Sequence, residues 1–590
     1  GTARRTTCRP PAHVPQSRTP PLVLRPRPTM FRLLALAGLA AASAAVLKET
    51  QVTGPRAYWS KRSPCGGEQE HEVVIAVQQR NMDQLEAKLL EISDPTNPSY
   101  GMWLTYDEVT AMTANLPGTD AVLAYVNSFD RTEITRITRR GDYITVKAPL
   151  AVFEVMFQTE FHNYVDGNGQ SVCRAEAMHV PEELNEHILG SFHLVDLPFR
   201  AHSRPKPMLK SDKRLGRGAT VTPAVLNSYY NIASNAGNDR GSQSLFESLD
   251  QNFSPSDLSD FERANGIPQD AVDNVIGGHN SDSACQSDAN NCAEANLDVQ
   301  YIMAIAQNVE TTYWYVDNSL RLFTTWIQDV ADTRNPPLVH SISYGGGESD
   351  IGKSTYDTFN NEAMKLGAQG VTITVSSGDD GAAGSAARSS PSNCAYGPSW
   401  PATSPYVVAV GATQGAESGK TESVCMSDTG GVITSGGGFS SQFKALSYQN
   451  AAVSAYFSEL SRSEQPESGY ESGNRAYPDV SMAGYNYEVT IAGKTYLLSG
   501  TSASSPVFAG LVSLVNSARL AKGKSALGYI NQAIYQYGSQ FTNDVTSGNN
   551  LCTASKTCCS EGFYAAAGWD PTTGFGSVDF AKFSSIMTNL

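Results

Sequence analysis

Histidine is scarce where a catalytic histidine would have to come from. The chain has nine, and only His279 and His340 lie beyond residue 203. His340 follows Pro336-Pro337-Leu338-Val339 in an apolar run and reads as a core residue, while His279 sits in a Gly/Asn-rich loop. A Ser-His-Asp triad is therefore poorly supplied, although one histidine would suffice in principle. Basic charge is short as well: 43 Lys and Arg stand against 58 Asp and Glu, a formal net charge of −15, with no broad basic patch. That argues against nucleic acid as a partner and fits a protein that stays soluble at low pH. Histidine beside cysteine at zinc-finger spacing is missing, which removes a structural zinc site. Apart from one short stretch near the N-terminus there is no run of about 20 apolar residues, so no membrane contact is expected once that stretch is removed.

That stretch reads as a leader. Met30-Phe31-Arg32 opens a short basic region, and Leu33 to Val46 is apolar, of signal-peptide length and too short to span a bilayer. Small residues place cleavage after Ala44 or Ala45, so residues 30–45 are the signal peptide. Residues 1–29, rich in Pro, Arg and Thr, read as translated upstream sequence, with a genuine disordered extension as the alternative. The destination is the exterior, or a lysosome- or vacuole-like acidic compartment reached through the secretory pathway. Ten cysteines in such a chain indicate disulfides. Cys8 lies in the extension and Cys65 and Cys173 in the first half; seven lie in the second half, so at least one of those is free or paired elsewhere. Cys285 and Cys292 can close a local loop, and Cys552 can pair with Cys558 or Cys559.

Two folded regions follow. In residues 46–199, with a core from about 72 to 198, His71–Val77 and Tyr143–Val146 read as strands, and Asn81–Ile92 and Leu150–Phe157 as helices, a small α+β domain. Residues 200–217 are basic and contain proline, an exposed linker suited to processing. From 218 to 590, strand-like runs at Val371–Val375 and Tyr406–Val410 alternate with helices at Glu294–Gln307 and Pro506–Ala521. This predicts an α/β domain with a largely parallel sheet. Five histidines, His162, His179, His187, His193 and His202, concentrate in or just after the first domain, where their protonation near pH 6 would weaken its docking.

The chemistry centres on Ser499-Gly500-Thr501-Ser502-Ala503-Ser504-Ser505-Pro506. A tight glycine turn delivers Ser502 to the start of a helix, with Pro506 in its first turn, and free N–H groups there suit an oxyanion. Alone, such a segment reads equally well as a turn with helix caps. A hydroxyl nucleophile needs a base, and the better base is a carboxylate. Glu294 and Asp298 lie four apart, on one face of a helix whose apolar continuation through Ala306 implies burial. Partly buried, each raises the other's pKa, so that one holds a proton while the other accepts one. Two exposed acids on a helix are the commoner case. A third acid, Asp379 in Ser377-Gly378-Asp379-Asp380-Gly381, follows a strand end, where open α/β sheets build sites. It reads either as a turn residue or, protonated, as a donor to an oxyanion.

Together these ordered motifs resemble the sedolisin family, the serine-carboxyl peptidases that include the tripeptidyl-peptidase I group. Glu294, Asp298, Asp379 and Ser502 match the family's catalytic residues, and Ser343-Tyr344-Gly345 looks like its substrate-cleft strand. Gly436-Gly437-Gly438-Phe439-Ser440 and Tyr477-Pro478-Asp479-Val480 are similar to its intervening segments. The resemblance implies a subtilisin-like catalytic domain, peptide or protein substrates, and an inhibitory prodomain over residues 72–198. It also implies a Ca²⁺ site, with side chains from Asp544 and Asp570 and carbonyls from Val545, Ala566 and Gly568, where Ala566 stands in for the usual glycine. By composition alone that region is a Gly/Asp-rich loop. One departure concerns substrate ends: tripeptidyl members carry acids directly after Ser-Tyr-Gly, whereas here Gly345-Gly346-Gly347 precede Glu348. The reading is an acid-acting serine peptidase, endopeptidase or tripeptidyl-peptidase. Its rivals are a glycoside hydrolase using paired carboxylates, which leaves Ser502 without a role, and a non-catalytic calcium-stabilised pseudopeptidase, which would have lost a catalytic residue.

Overall fold

The computed structural model describes residues 45–52, 58–198, 207–210, 219–317 and 322–590. The upstream extension, the leader up to Ala44, His202 and most of the basic linker lie outside the described residues.

The first region runs β1 (Glu70–Val77), α1 (Met82–Ser93), α2 (Tyr106–Thr113), α3 (Leu116–Val126), β2 (Glu133–Ile137), β3 (Tyr143–Pro149), α4 (Leu150–Met156) and β4 (Ile188–Phe192). Its strands form an antiparallel sheet in the order β2-β3-β1-β4. Strand β1 is central because both its faces are apolar. Val73, Ile75 and Val77 enter the main core of this domain, and Val74 and Ala76 pack on the opposite face with Tyr143 and Phe192. Helix α2 starts where Thr105 and Glu108 form a reciprocal capping box, and Cys65–Cys173 ties the ends of the domain together.

The second region supplies β5 (Met208–Leu209), β6 (Ser242–Glu247), β7 (Asn274–Ile276), α5 (Ala293–Ile305), β8 (Glu310–Tyr315), α6 (Leu322–Asp332), β9 (Val339–Ile342) and α7 (Lys353–Ala368). It continues through β10 (Thr372–Ser376), β11 (Val408–Gln414), β12 (Val480–Ala483), β13 (Tyr487–Ile491), β14 (Lys494–Leu498) and α8 (Thr501–Ala521). Seven strands pair in parallel in the order β7-β8-β6-β9-β10-β11-β12. All five residues of β10 are buried, as a sheet covered on both faces requires. Helices α5 and α8 cover one face and α6 and α7 the other. Gly510 lets α8 close on α5, since a Cβ there would meet Ile305 at 2.8 Å. The fold is thus α/β with a small α+β prodomain. The larger departures from expectation are two: the strand predicted at 406–410 is β11, shifted toward Gln414, and the helix predicted from Pro506 starts at Thr501. Disulfides join Cys285–Cys292, Cys552–Cys558 and Cys394–Cys559, leaving Cys425 as a buried thiol among the described residues.

The prodomain docks on the α6–α7 side. Leu85 and Leu89 of α1 pack against Met364, Ala368 and Tyr529. Beside them Lys365, fully buried, bridges Asp142 of the prodomain and Glu362 of α7, each at 2.7 Å. Tyr143 and Gln79 donate to Glu362 Oε1 at 2.7 Å each. Breaking a buried pair like this strands a charge, so the cluster fixes how the two domains meet more than it adds stability.

Candidate active site

Ser502 is the second residue of α8, behind the N-cap Gly500. The helix start is tied to the loop after β10: the Thr501 N–H and hydroxyl both donate to Asp379 Oδ1, at 2.8 and 2.9 Å, and the Gly378 N–H donates to Thr501 Oγ1 at 3.1 Å. Pro506 does not occupy the first turn, as the sequence had suggested; it sits inside α8. Having no N–H, it leaves the Ser502 carbonyl, four residues back, without its helical donor. The Ser343 hydroxyl fills that gap at 3.2 Å, and the Ser502 hydroxyl donates in return to the Ser343 carbonyl at 3.1 Å. The proline thereby locks the serine-bearing turn onto the end of β9.

Facing Ser502 is a nest of buried acids. Glu294 and Asp298 share one face of α5 and are fully buried. The cluster has a third member that sequence reasoning missed: Glu247, the last residue of β6, equally buried, with the Tyr344 hydroxyl donating to its Oε2 at 2.6 Å. All three carboxyls are pushed well above the ordinary range. Burial is the main cause for each, and the charge of Asp298 adds to it at Glu247 and Glu294. The Ser502 hydroxyl close to Glu294 and the Ser343 hydroxyl close to Asp298 pull the other way. Neither of these two carboxyls accepts a well-formed hydrogen bond. The available signal for Glu247 was a lone acid after Leu245-Phe246 at the C-terminal end of a strand.

The acids of the Ser-Gly-Asp-Asp loop divide their roles. Asp380 forms a two-pronged ion pair with Arg388, both contacts 2.6 Å. Asp379 is raised by burial and by Asp380, with the Thr501 hydrogen bonds and the Arg388 charge opposing. Its Oδ2 faces Gly500, where an added Cβ would lie 3.3 Å away. The histidines are accounted for elsewhere. His340 is fully buried, its ring 5.4 Å from that of Trp326, and burial lowers its pKa to about 3. His279 stacks on Tyr315.

The Ser343-Tyr344-Gly345 segment is buried, and the Tyr344 ring turns inward, its hydroxyl on Glu247. Gly345, Gly347, Gly378, Gly384, Ser399 and Asp379 line a pocket beside it. A Cβ on Gly345 would come within 2.9 Å of Ser399 Oγ, which accounts for the glycine. Glu348 is buried; its oxygens accept from the Ser440 hydroxyl and from the Ser441 N–H and hydroxyl, each at 2.6 Å.

In the C-terminal loop the Gly568 N–H donates to Asp544 Oδ2 at 2.8 Å and the Ala566 N–H to Asp570 Oδ2 at 3.1 Å, so one short loop lies against both carboxylates. The carbonyls of Val545, Ala566 and Gly568 accept no hydrogen bond among the described residues. Gly568 takes a positive φ of 82°, whereas Ala566 does not, so alanine is unstrained there. Two carboxylates and three unused carbonyls form a donor set that fits a hard cation.

Comparison with known proteins gives a consistent result. Residues 57–195 match the pro-kumamolisin activation domain and residues 274–530 the subtilase family. Physarolisin of Physarum polycephalum is 33% identical, spanning 95% of this chain and 100% of that protein. Tripeptidyl-peptidase 1 of Homo sapiens is 30% identical over 90% of this chain and 94% of its own length. Among solved structures, Pseudomonas sedolisin, a serine-carboxyl proteinase complexed with pseudo-iodotyrostatin, is 26% identical over 63% of this chain and 99% of its own, with a TM-score of 0.49.

Proposed function

The chain belongs to the sedolisin family of serine-carboxyl peptidases, and from that premise we propose that it is an acid-acting endopeptidase with Ser502 as nucleophile, Glu294 as base and Asp379 as oxyanion donor. It is a serine-type peptidase carrying an N-terminal activation prodomain. The observation that carries the finer reading is the placement of Ser502 at a helix N-terminus, beside a buried acid cluster. Glu294 takes the hydroxyl proton as Oγ attacks the peptide carbonyl carbon, then passes it to the departing amine. Water then attacks the acyl carbon, giving a proton to Glu294, which returns it to Ser502 Oγ as the Oγ–acyl bond breaks and the carboxylic product leaves. Asp298 orients and tunes Glu294, and Glu247 beside them raises the Glu294 pKa further. A protonated Asp379 and the Ser502 N–H donate to the tetrahedral oxyanion, which is why its raised pKa suits the role.

Endopeptidase action is favoured by Glu348. A tripeptidyl enzyme wants a carboxylate for the substrate's free amine, and the first acid after Gly345-Gly346-Gly347 is already taken by Ser440 and Ser441. The second reading, tripeptidyl release, rests on the likeness to tripeptidyl-peptidase 1. A low-pH digest of a peptide library with free and blocked N-termini, read by mass spectrometry, decides between them. Internal cuts in blocked peptides are expected; three-residue steps from free termini alone would favour the second reading, and no cleavage would overturn both. Asp544 and Asp570, with the carbonyls of Val545, Ala566 and Gly568, would hold Ca²⁺, which supplies stability rather than chemistry. Among the described residues no helix is long and apolar enough to cross a membrane, and the leader-like segment points to the exterior or an acidic compartment.

A further inference from the structure

The short strand β5, in the segment joining the two domains, lies along the edge of β14. Met208 pairs with Leu497 and Leu209 with Tyr496, antiparallel, and the Lys210 N–H donates to the Thr495 carbonyl at 3.1 Å. The result is a three-stranded sheet in the order β5-β14-β13. Strand β14 leads directly through Ser499 and Gly500 into the turn bearing Ser502. A chain seated antiparallel on it has its N-terminal end nearest the nucleophile and runs away from it. That is the direction required of the leaving-group side of a peptide whose scissile bond lies at Ser502.

The seat also has chemistry. Along β13 the buried residues Tyr487, Val489 and Ile491 alternate with the part-exposed Glu488 and Thr490. Glu488 lies across from Leu497, on the face that Met208 shares. Its carboxylate pairs with the Lys210 ammonium and accepts from the Thr220 hydroxyl. In the precursor, therefore, the chain itself shows what this edge accepts: an extended segment with a basic side chain reaching across β14 to Glu488.

We propose that, once the prodomain and its linker are removed, the β14 edge with Glu488 behind it is an outer subsite for the leaving-group side of polypeptide substrates. It adds that segment as a strand and favours Lys or Arg where Lys210 now sits. The proposal rests on the assignment of Ser502 as nucleophile. Backbone pairing supplies affinity without regard to sequence, and the carboxylate supplies the preference.

The test uses the mature enzyme at pH 5 and peptides of one common cleavage sequence. Long peptides carry a single Lys or Glu at each position from the fourth to the eighth beyond the scissile bond; a short peptide ends at the third. In wild type one position should favour Lys over Glu in kcat/KM by about three- to tenfold, the span open to a part-exposed ion pair and its charge reversal. The ratio should fall to near one in Glu488→Gln and invert in Glu488→Lys. A Lys/Glu ratio identical in wild type and Glu488→Gln at every position overturns the subsite. If wild type cleaves the peptides, short or long, while that ratio stays flat, only the subsite is lost; if it cleaves neither the short nor the long peptides, the peptidase assignment falls and takes the subsite with it.

Discussion

His71 in β1 should act as an acid release for the prodomain. Its ring lies 5.5 Å from that of Phe161, and Nε2 sits 2.7 Å from the His193 carbonyl, so Nε2 carries a proton and donates. Burial lowers the pKa to about 4; the His193 hydrogen bond opposes this, and the Arg174 charge adds to it. An unfolded histidine titrates near 6.5. Between those values the unfolded domain binds more protons than the folded one, so stability is lost as pH falls from about 6.5 toward 4. The two-pKa linkage relation puts the loss at about 2 kcal/mol between pH 7 and pH 4.5, or some tens of fold in the opening equilibrium. The assay is hydrogen exchange of the β1 amides in the full precursor, made inactive by Ser502→Ala, at the two pH values. His71→Gln keeps a donor to the His193 carbonyl but has no titration. Corrected for intrinsic exchange, opening should rise by some tens of fold more in the His71 precursor than in the variant. Equal changes in the two would refute the reasoning and return the trigger to other groups, such as the surrounding histidines.

The remaining expectations concern the catalytic domain. Ser502→Ala, Glu294→Gln and Asp379→Asn should each remove most turnover, the last by about 100- to 1,000-fold. The pH–rate profile should be bell-shaped below about pH 6, because Asp379 must keep its proton while the Glu294 cluster gives one up. Wild-type turnover in Glu294→Gln, or a plateau above pH 7, would restore a histidine base. For Glu247, whose folded pKa is raised by burial, stability is present in acid and lost as pH rises. Glu247→Gln should flatten that decline by up to about 1.4 kcal/mol per pH unit in urea melts, and an unchanged slope would remove Glu247 from the cluster. Chelation at pH 5 should lower the melting temperature before it alters turnover, since an ion at a hundred times its Kd adds about 2.7 kcal/mol. Asp570→Ala should melt alike with and without chelator; identical wild-type melts would leave the loop as ordinary turn sequence. N-terminal sequencing after acid incubation should find the mature chain starting upstream of Thr220, because Val221 already pairs with Asn486 and Tyr487.

What the sequence determined by itself is what local spacing controls. The four-residue interval of Glu294 and Asp298 placed both on one helix face, and the apolar run after them foretold their burial. Glycine before Ser502 announced a turn into a helix, and the alternation of β-branched runs with helices announced a parallel sheet. Neighbours within a turn or strand meet wherever the chain folds, so such features are legible without a fold. The tertiary structure decided whatever depends on partners far apart in the chain. Glu247 becomes part of the acid cluster only because β6 and α5 converge, some fifty residues apart. Pro506 was misplaced because its effect runs through Ser343, whose hydroxyl takes the carbonyl that the proline leaves open. Cys559 found Cys394 across 165 residues while Cys552 took Cys558. Lys365 is buried in α7 only because Asp142 arrives from another domain. Each of these depends on a partner distant in sequence, and for Glu247 and Lys365 the state of the charge is set by what desolvates it, a property of the packed molecule and not of the residues beside it in sequence.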